Sequence, residues 1–233
     1  MRLLLVFLSL LVCLPVRAEP AKPVSERDRM SYSLGHDLGA NFKRQAMDVE
    51  PAMIARGLAD ALSGTAPDMS EEEMAKARTE LRRLSQAAMR EQAEKVAAAK
   101  RAAGRTFLEV NAGKAGIVSL PSGLQYRVIK PGEGVKPGPA DSVTVHYKGT
   151  LLDGSEFDSS YRRNQPASFP LNGVIAGWTE GLQFMQPGAK HELFITPDLA
   201  YGKRGRLADE TLVFEVELIS VETAKKAEAH GSP

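Results

Sequence analysis

Hydrophobic positions along the chain follow two different periods, which change near Gly116. Before it they recur every three or four residues, the spacing of an amphipathic helix. Leu34, Leu38 and Phe42 predict a first helix beginning at Ser25, whose hydroxyl suits an N-cap, with Glu26 and Asp28 where the helix dipole favours negative charge. Ile54, Leu58 and Leu62 form the stripe of a second helix, opened by Asp48 and Pro51 and ended at Gly64. Ser70 to Glu73 is a capping box for a third. Met74, Ala77, Leu81, Leu84 and Ala88 then follow at alternating spacings of three and four, a heptad seam. This helix is expected from about Glu71 to Asn111, loosened at Gly104, and about 60 Å long at 1.5 Å per residue.

After Gly116 glycines and prolines recur every few residues and alternation replaces the helical period. Strands are predicted over Gly123–Ile129, Ser142–Gly149, Ala167–Leu171, Lys190–Thr196 and Thr211–Val221. Val143, Val145 and Tyr147 fall on one face of their strand, and Thr144, His146 and Lys148 on the other. Leu151 to Gly154 makes a turn, followed by a short segment with Phe157 beside Asp158. Gly177–Met185 is the one predicted helix here, stopped by Pro187 and Gly188. The fold class is therefore α+β: an all-helical N-terminal domain with a long connecting helix, then an antiparallel sheet wrapped around one short helix.

The first two helices are too short to bury their own stripes. A second copy of the same hairpin is the natural partner, with Gly35 and Gly39 allowing close approach of another helix. A single three-helix bundle with a protruding helix is the alternative, and the pattern leaves both open.

Composition narrows the class. The 233 residues are 43% hydrophobic and 25% charged with net charge +1, and no basic stripe points to nucleic acid. Residues 1–18 differ: Arg2, an apolar run from Leu3 to Leu14, then Val16-Arg-Ala18. That is a secretory signal cleaved after Ala18, too short for stable membrane insertion. Cleavage would remove Arg2 and Arg17, leaving 28 basic against 29 acidic residues, and would remove Cys13, the one cysteine. An exported chain without disulfides suits a bacterial periplasm, with a secreted or outer-membrane-associated location the less favoured alternative.

The familiar catalytic constellations are missing. The mature chain has no cysteine nucleophile, its four histidines lie scattered without ligand spacing, and no phosphate loop or nucleophile elbow occurs. No metal and no cofactor is expected. His146, on the polar face of its strand, is expected to be solvated. What remains is a concentration of rings: Tyr147, Phe157, Phe169, Trp178, Phe194, Tyr201 and Phe214. Either they fill a core or several line an apolar pocket. Asp158 and Tyr147, which put polar atoms where rings converge, favour the pocket.

Tyr147-Lys-Gly-Thr150, Gly154-Ser-Glu-Phe-Asp-Ser-Ser160, Val174-Ile-Ala-Gly-Trp-Thr-Glu-Gly-Leu182, Pro197-Asp-Leu-Ala-Tyr-Gly202 and Thr211-Leu-Val-Phe-Glu-Val-Glu-Leu218 occur in order. In them the chain resembles the FKBP-type peptidyl-prolyl cis–trans isomerases from about Gly123 to Val221. Its helical part, with Leu120-Pro-Ser-Gly-Leu-Gln-Tyr126 at the junction, looks like that of the macrophage infectivity potentiator and periplasmic FKBP-type chaperone group. The organisation implied is a signal at 1–18, a disordered lead-in at 19–24, a helical dimerisation domain with linker helix at 25–115, an isomerase domain at 116–222 and a polar tail at 223–233.

The resemblance implies that Trp178 floors a proline pocket walled by Tyr147, Phe157, Val174, Ile175 and Phe214. The Ile175 N–H and the Tyr201 hydroxyl would donate to substrate carbonyls. Asp158 would stand at the rim, held by Tyr147 and Arg163, as an electrostatic fixture and not an acid–base catalyst, since no proton-transfer partner accompanies it. The implied partners are unfolded or folding polypeptides with X–Pro bonds, a second copy bound through the N-terminal helices, and macrolide inhibitors. Two departures stand out. Ala167 replaces an aromatic residue of many relatives, and segment 202–211 is short, offering Lys203, Arg204 and Arg206 where relatives carry an apolar tip, with Leu207 left to stand in for it. The implied function is prolyl isomerisation assisting the folding of exported proteins. The alternative is a dimeric holdase with weak or no isomerase activity.

Overall fold

The computed structural model describes residues 22–223. The signal expected at 1–18 and the tail from 224 lie outside the described residues. Two compact units divide the chain, Met1–Met89 and Arg90–Pro233.

The first unit holds α1 (Glu26–Arg44), α2 (Pro51–Ser63) and the first part of α3 (Glu71–Ala112). Ser25 caps α1 in a reciprocal box, its Oγ accepting from Asp28 N at 3.1 Å while Asp28 Oδ2 accepts from Ser25 N at 3.1 Å. Glu50, not Asp48, caps α2, and Gly64 ends it in the left-handed region at φ 73°. Ser70 and Glu73 form the capping box of α3. Neither α1 nor α2 buries a residue, and Leu34, Leu38, Leu58 and Leu62 remain exposed. Among the described residues nothing approaches Gly35 or Gly39 within 4 Å of where a Cβ would stand.

The helix α3 runs unbroken through Gly104, and its residues from Arg90 onward belong to the second unit. The expected loosening at Gly104 does not occur. A Cβ there would come within 2.1 Å of Thr211 Oγ1, so the glycine serves close approach, not flexibility. The change of residue pattern at 115/116 marks a change of element type, whereas the change of packing falls earlier, after Met89.

The second unit is an antiparallel sheet of β1 (Ile117–Ser119), β2 (Gln125–Lys130), β3 (Ser142–Thr150), β4 (Glu156–Ser159), β5 (Ala167–Pro170), β6 (Lys190–Ile195) and β7 (Leu212–Glu222). The order is β1-β2-β6-β7-β3-β4, with β5 also paired to β3. Val143, Val145 and Tyr147 point to the core with Phe214, Val216 and Leu218 of β7, following the two-residue period. Across the sheet lies α4 (Ala176–Leu182), which buries Trp178 and Leu182. It sits close because it carries glycine where it touches β6: a Cβ on Gly177 would meet Ile195 Cγ2 at 2.5 Å. No helix among the described residues is long and apolar enough to cross a membrane.

Candidate active site

Register places the site. Gly149 of β3 pairs with Asp158 of β4, so Tyr147, two residues back, points to the same face as Asp158 and reaches it diagonally. The register then shifts, with Thr150 opposite Glu156, which leaves Phe157 unpaired. This bulge turns two successive side chains, Phe157 and Asp158, toward one cavity, which regular alternation forbids. Gly149 makes room for the rings of Phe157 and Phe214. A Cβ there would lie 2.6 Å from Phe157 Cζ and 2.7 Å from Phe214 Cε1.

The cavity measures about 300 Å³ and is lined by Tyr147, Phe157, Asp158, Phe169, Gly173, Val174, Ile175, Trp178, Tyr201 and Phe214. Trp178 is its hub, with edge-to-face contacts to Tyr147 at 5.1 Å, Phe214 at 5.2 Å and Phe169 at 5.8 Å between centroids. Phe157 stands perpendicular to Phe214 at 5.5 Å. Quadrupole preference for such edge contacts locks the rings in place. The buried Trp178 Nε1–H has no partner among the described residues. Neither the Ile175 backbone N–H, at the start of α4, nor the Tyr201 hydroxyl donates within the described residues.

One wall is polar. The Tyr147 hydroxyl donates to Asp158 Oδ2 at 2.6 Å and accepts from Arg163 Nη2 at 2.8 Å. Arg163 Nη1 donates to Asp158 Oδ1 at 2.5 Å, and the Ser159 N–H adds a bond at 2.8 Å. Burial alone would push the Asp158 carboxyl up, but the bonds from Tyr147 and Arg163, the Arg163 charge and the Ser159 N–H outweigh it. The carboxyl is held below its ordinary value and is an anion at neutral pH. Burial, then the bond to Asp158, pushes the Tyr147 phenol up, so it remains a donor. A carboxylate saturated with donors is a poor proton acceptor.

Leu207 and His146 stand elsewhere than expected, Arg163 holds Asp158 as expected, and Phe169, counted among the rings, joins the pocket walls. Leu207 packs against the core and is not among the cavity residues. Arg163 holds Asp158 and Tyr147 from outside the lining. Ala167 pairs with Val145 and packs against the core, while Phe169, two residues along the same face, supplies an aromatic wall. Strand alternation from Ala167 was the signal that could have found it. His146 is half-buried, bonded to Ser160 Oγ at 2.9 Å and stacked on Tyr161 at 4.6 Å. It is thus a packed residue and not a solvated one. No group of His, Cys, Asp or Glu side chains able to hold a metal occurs among the described residues.

Comparison with known proteins identifies the family. Residues 133–219 match the family of FKBP-type peptidyl-prolyl cis–trans isomerases, and residues 27–128 match the domain amino-terminal to such isomerases. "Outer membrane protein MIP" of Legionella longbeachae is 45% identical over 204 residues, covering 86% of this chain and 88% of that protein. The chain belongs to the FKBP-type peptidyl-prolyl cis–trans isomerases. The "FKBP-type 22 kDa peptidyl-prolyl cis-trans isomerase" of Escherichia coli K12 is 43% identical, covering 82% of this chain and 93% of its own. The crystal structure of FkpA from Escherichia coli superposes with a TM-score of 0.73 at 36% identity, over 86% of this chain and 98% of that one. The chain is accordingly a peptidyl-prolyl cis–trans isomerase of FKBP-like architecture, its helical N-terminal part included.

Proposed function

We propose that this isomerase acts on X–Pro bonds of unfolded and folding exported proteins, by stabilising the twisted amide without proton transfer or a covalent step. The observation that carries this reading is the ring-lined cavity around Trp178, closed on one side by Tyr147, Asp158 and Arg163. The barrier of about 18–20 kcal/mol comes from amide resonance, which makes the planar amide more dipolar than the twisted one. An apolar cavity raises the planar form relative to the twisted form. Trp178 would lie under the proline ring, with Phe157, Val174 and Phe214 excluding water. The undirected Ile175 N–H and Tyr201 hydroxyl would hold the flanking carbonyls, and the Asp158 anion would face the rotating carbonyl carbon. A rate gain of about 10⁵ asks for roughly 7 kcal/mol of preferential transition-state binding.

The test is proline-limited refolding of a client with the purified mature chain. Acceleration that falls at least tenfold in Asp158→Ala and clearly in Tyr147→Phe supports the reading; variants equal to wild type would sink it.

The exposed stripes of α1 and α2 support a second element of the reading, a homodimer formed through the N-terminal helices. Export to the periplasm is the location that residues 1–18 support, and the name of the Legionella longbeachae relative keeps outer-membrane association as the alternative. Macrolide inhibitors would compete for the same cavity. A holdase role is favoured by the same stripes. An Asp158→Ala chain that no longer isomerises but still suppresses client aggregation would separate the two activities.

A further inference from the structure

The segment from Tyr201 to Thr211 is a thin wall between two cavities. Tyr201 lines the ring-lined cavity, whereas Gly202, Lys203, Asp209 and Thr211 line a larger cleft of about 580 Å³ shared with Arg101, Arg105 and Leu108 of α3. Leu207 packs against the core and Thr211 is buried, whereas Tyr201, Lys203 and Arg204 are exposed, so at the Tyr201 end discrete bonds add to packing in fixing where the segment stands.

Those bonds come from α3. Arg101 Nη1 meets Asp209 Oδ1 at 2.7 Å, and Lys100 Nζ meets Glu210 Oε1 at 2.8 Å. The Asp209 side chain is 10% exposed and that of Arg101 37%, so salt screens the pair only in part. Arg101 is itself braced, its Nη2 bonding Glu94 Oε1 at 2.6 Å one face along the same helix. Asp209 sits at φ 61°, a left-handed conformation that Asp tolerates better than most residues. In that conformation its N–H donates to Gly202 O at 2.8 Å, closing the loop into a ring, while Gly202 N donates to Pro197 O at 2.8 Å. Gly202 follows Tyr201 directly. The Tyr201 hydroxyl has no bond of its own among the described residues, so no side-chain bond offsets a shift of its backbone.

We infer that Arg101 of α3 is a positioning residue for the isomerase reaction: through Asp209 and Gly202 it sets where the Tyr201 hydroxyl meets the substrate carbonyl. The inference rests on the role given to Tyr201 above. It makes the last turns of the connecting helix part of the catalytic unit, and loss of the Arg101 tether equivalent to loss of the Tyr201 hydroxyl.

Full-length wild type, Arg101→Gln, Tyr201→Phe and the double variant are compared for kcat/KM on a proline-containing peptide, below the melting temperature of each. Arg101→Gln is expected to lower kcat/KM about threefold to tenfold in the wild-type background and to change it little beside Tyr201→Phe. Arg101→Lys is expected to recover part of the loss, and Asp209→Asn, which keeps shape but not charge, to reproduce it if Arg101→Gln folds poorly. Arg101→Gln and Asp209→Asn both at wild-type activity, or equal losses in both Tyr201 backgrounds, overturn the inference while leaving Tyr201 its role. Tyr201→Phe at wild-type activity overturns the role of Tyr201 and this inference with it.

Discussion

Gly104 of α3 lies against Thr211 at the start of β7, so close that a Cβ at 104 would stand 2.1 Å from Thr211 Oγ1 and 3.1 Å from its Cβ. Thr211 is buried and, being β-branched, turns aside only with difficulty. Alanine would improve helix propensity by up to about 1 kcal/mol. The overlap would oppose it by about 1–3 kcal/mol. Gly104→Ala is therefore expected to lower the unfolding free energy by up to about 2 kcal/mol, with Thr211→Ala in the same chain restoring part of it. Denaturant melts of the single and double variants check this, and a stabilised Gly104→Ala chain would contradict it.

Gly149 offers the matching prediction inside the cavity. Its absent side chain is the space that Phe157 and Phe214 occupy. Gly149→Ala is expected to displace both rings, lowering kcat/KM at least tenfold while destabilising the fold by about 1–3 kcal/mol. A melt and a peptide assay on one preparation read both effects. Unchanged activity would mean that the rings can shift without consequence.

The pH dependence follows from Asp158, whose carboxyl lies below its ordinary value of 3.8. A depressed carboxylate contributes stability that is present above the unfolded value and is lost as pH falls through the folded one. Activity and stability owed to Asp158 are thus expected to be flat from about pH 5 to 8 and to fall only below about pH 4. A pH–kcat/KM profile checks it; a bell centred near neutrality would instead indicate proton transfer.

The stripe on α1 and α2 predicts the assembly state. Leu38 and Leu58 line one groove with Gly35, Gly39, Phe42 and Ile54. Leu58→Glu would place a charge in the buried centre of a dimer, at a penalty of several kcal/mol. Light scattering is expected to give twice the chain mass for wild type and the chain mass for Leu58→Glu, with isomerase activity on short peptides retained. A wild-type monomer would leave the stripe to clients.

The rim carries unbalanced charge. Asp209 and Glu210 are paired with Arg101 and Lys100, while Lys203, Arg204 and Arg206 form no ion pair among the described residues. Peptides with Glu near the proline are expected to be turned over about two to three times better than Gln counterparts at low salt. The advantage should fade near 0.5 M salt, where the screening length is roughly 4–5 Å. Equal rates at both salts would show that the rim does not select.

How much of this was legible beforehand differs by element. Ser25, Ser70 and Gly64 mark helix ends because capping is a bond between residues three or four apart, written within a few letters of sequence. The same holds for Val143, Val145 and Tyr147, whose alternation needs no knowledge of a partner strand. The motifs around Tyr147, Phe157 and Trp178 carried the family, and with it the cavity residues.

What only the tertiary structure decided depends on residues far apart in the chain. The shift between Gly149 and Thr150 turns Phe157 and Asp158 the same way, which local alternation cannot express. Gly104 proved a contact and not a hinge, because that depends on what a neighbouring element leaves open. Sequence by itself determined the elements, their order and the chemistry they carry, since these arise from short-range periods and bonds. Tertiary structure decided which of those side chains share a wall, and that α3 braces the segment beside Tyr201, since close approach is set by the partner surface.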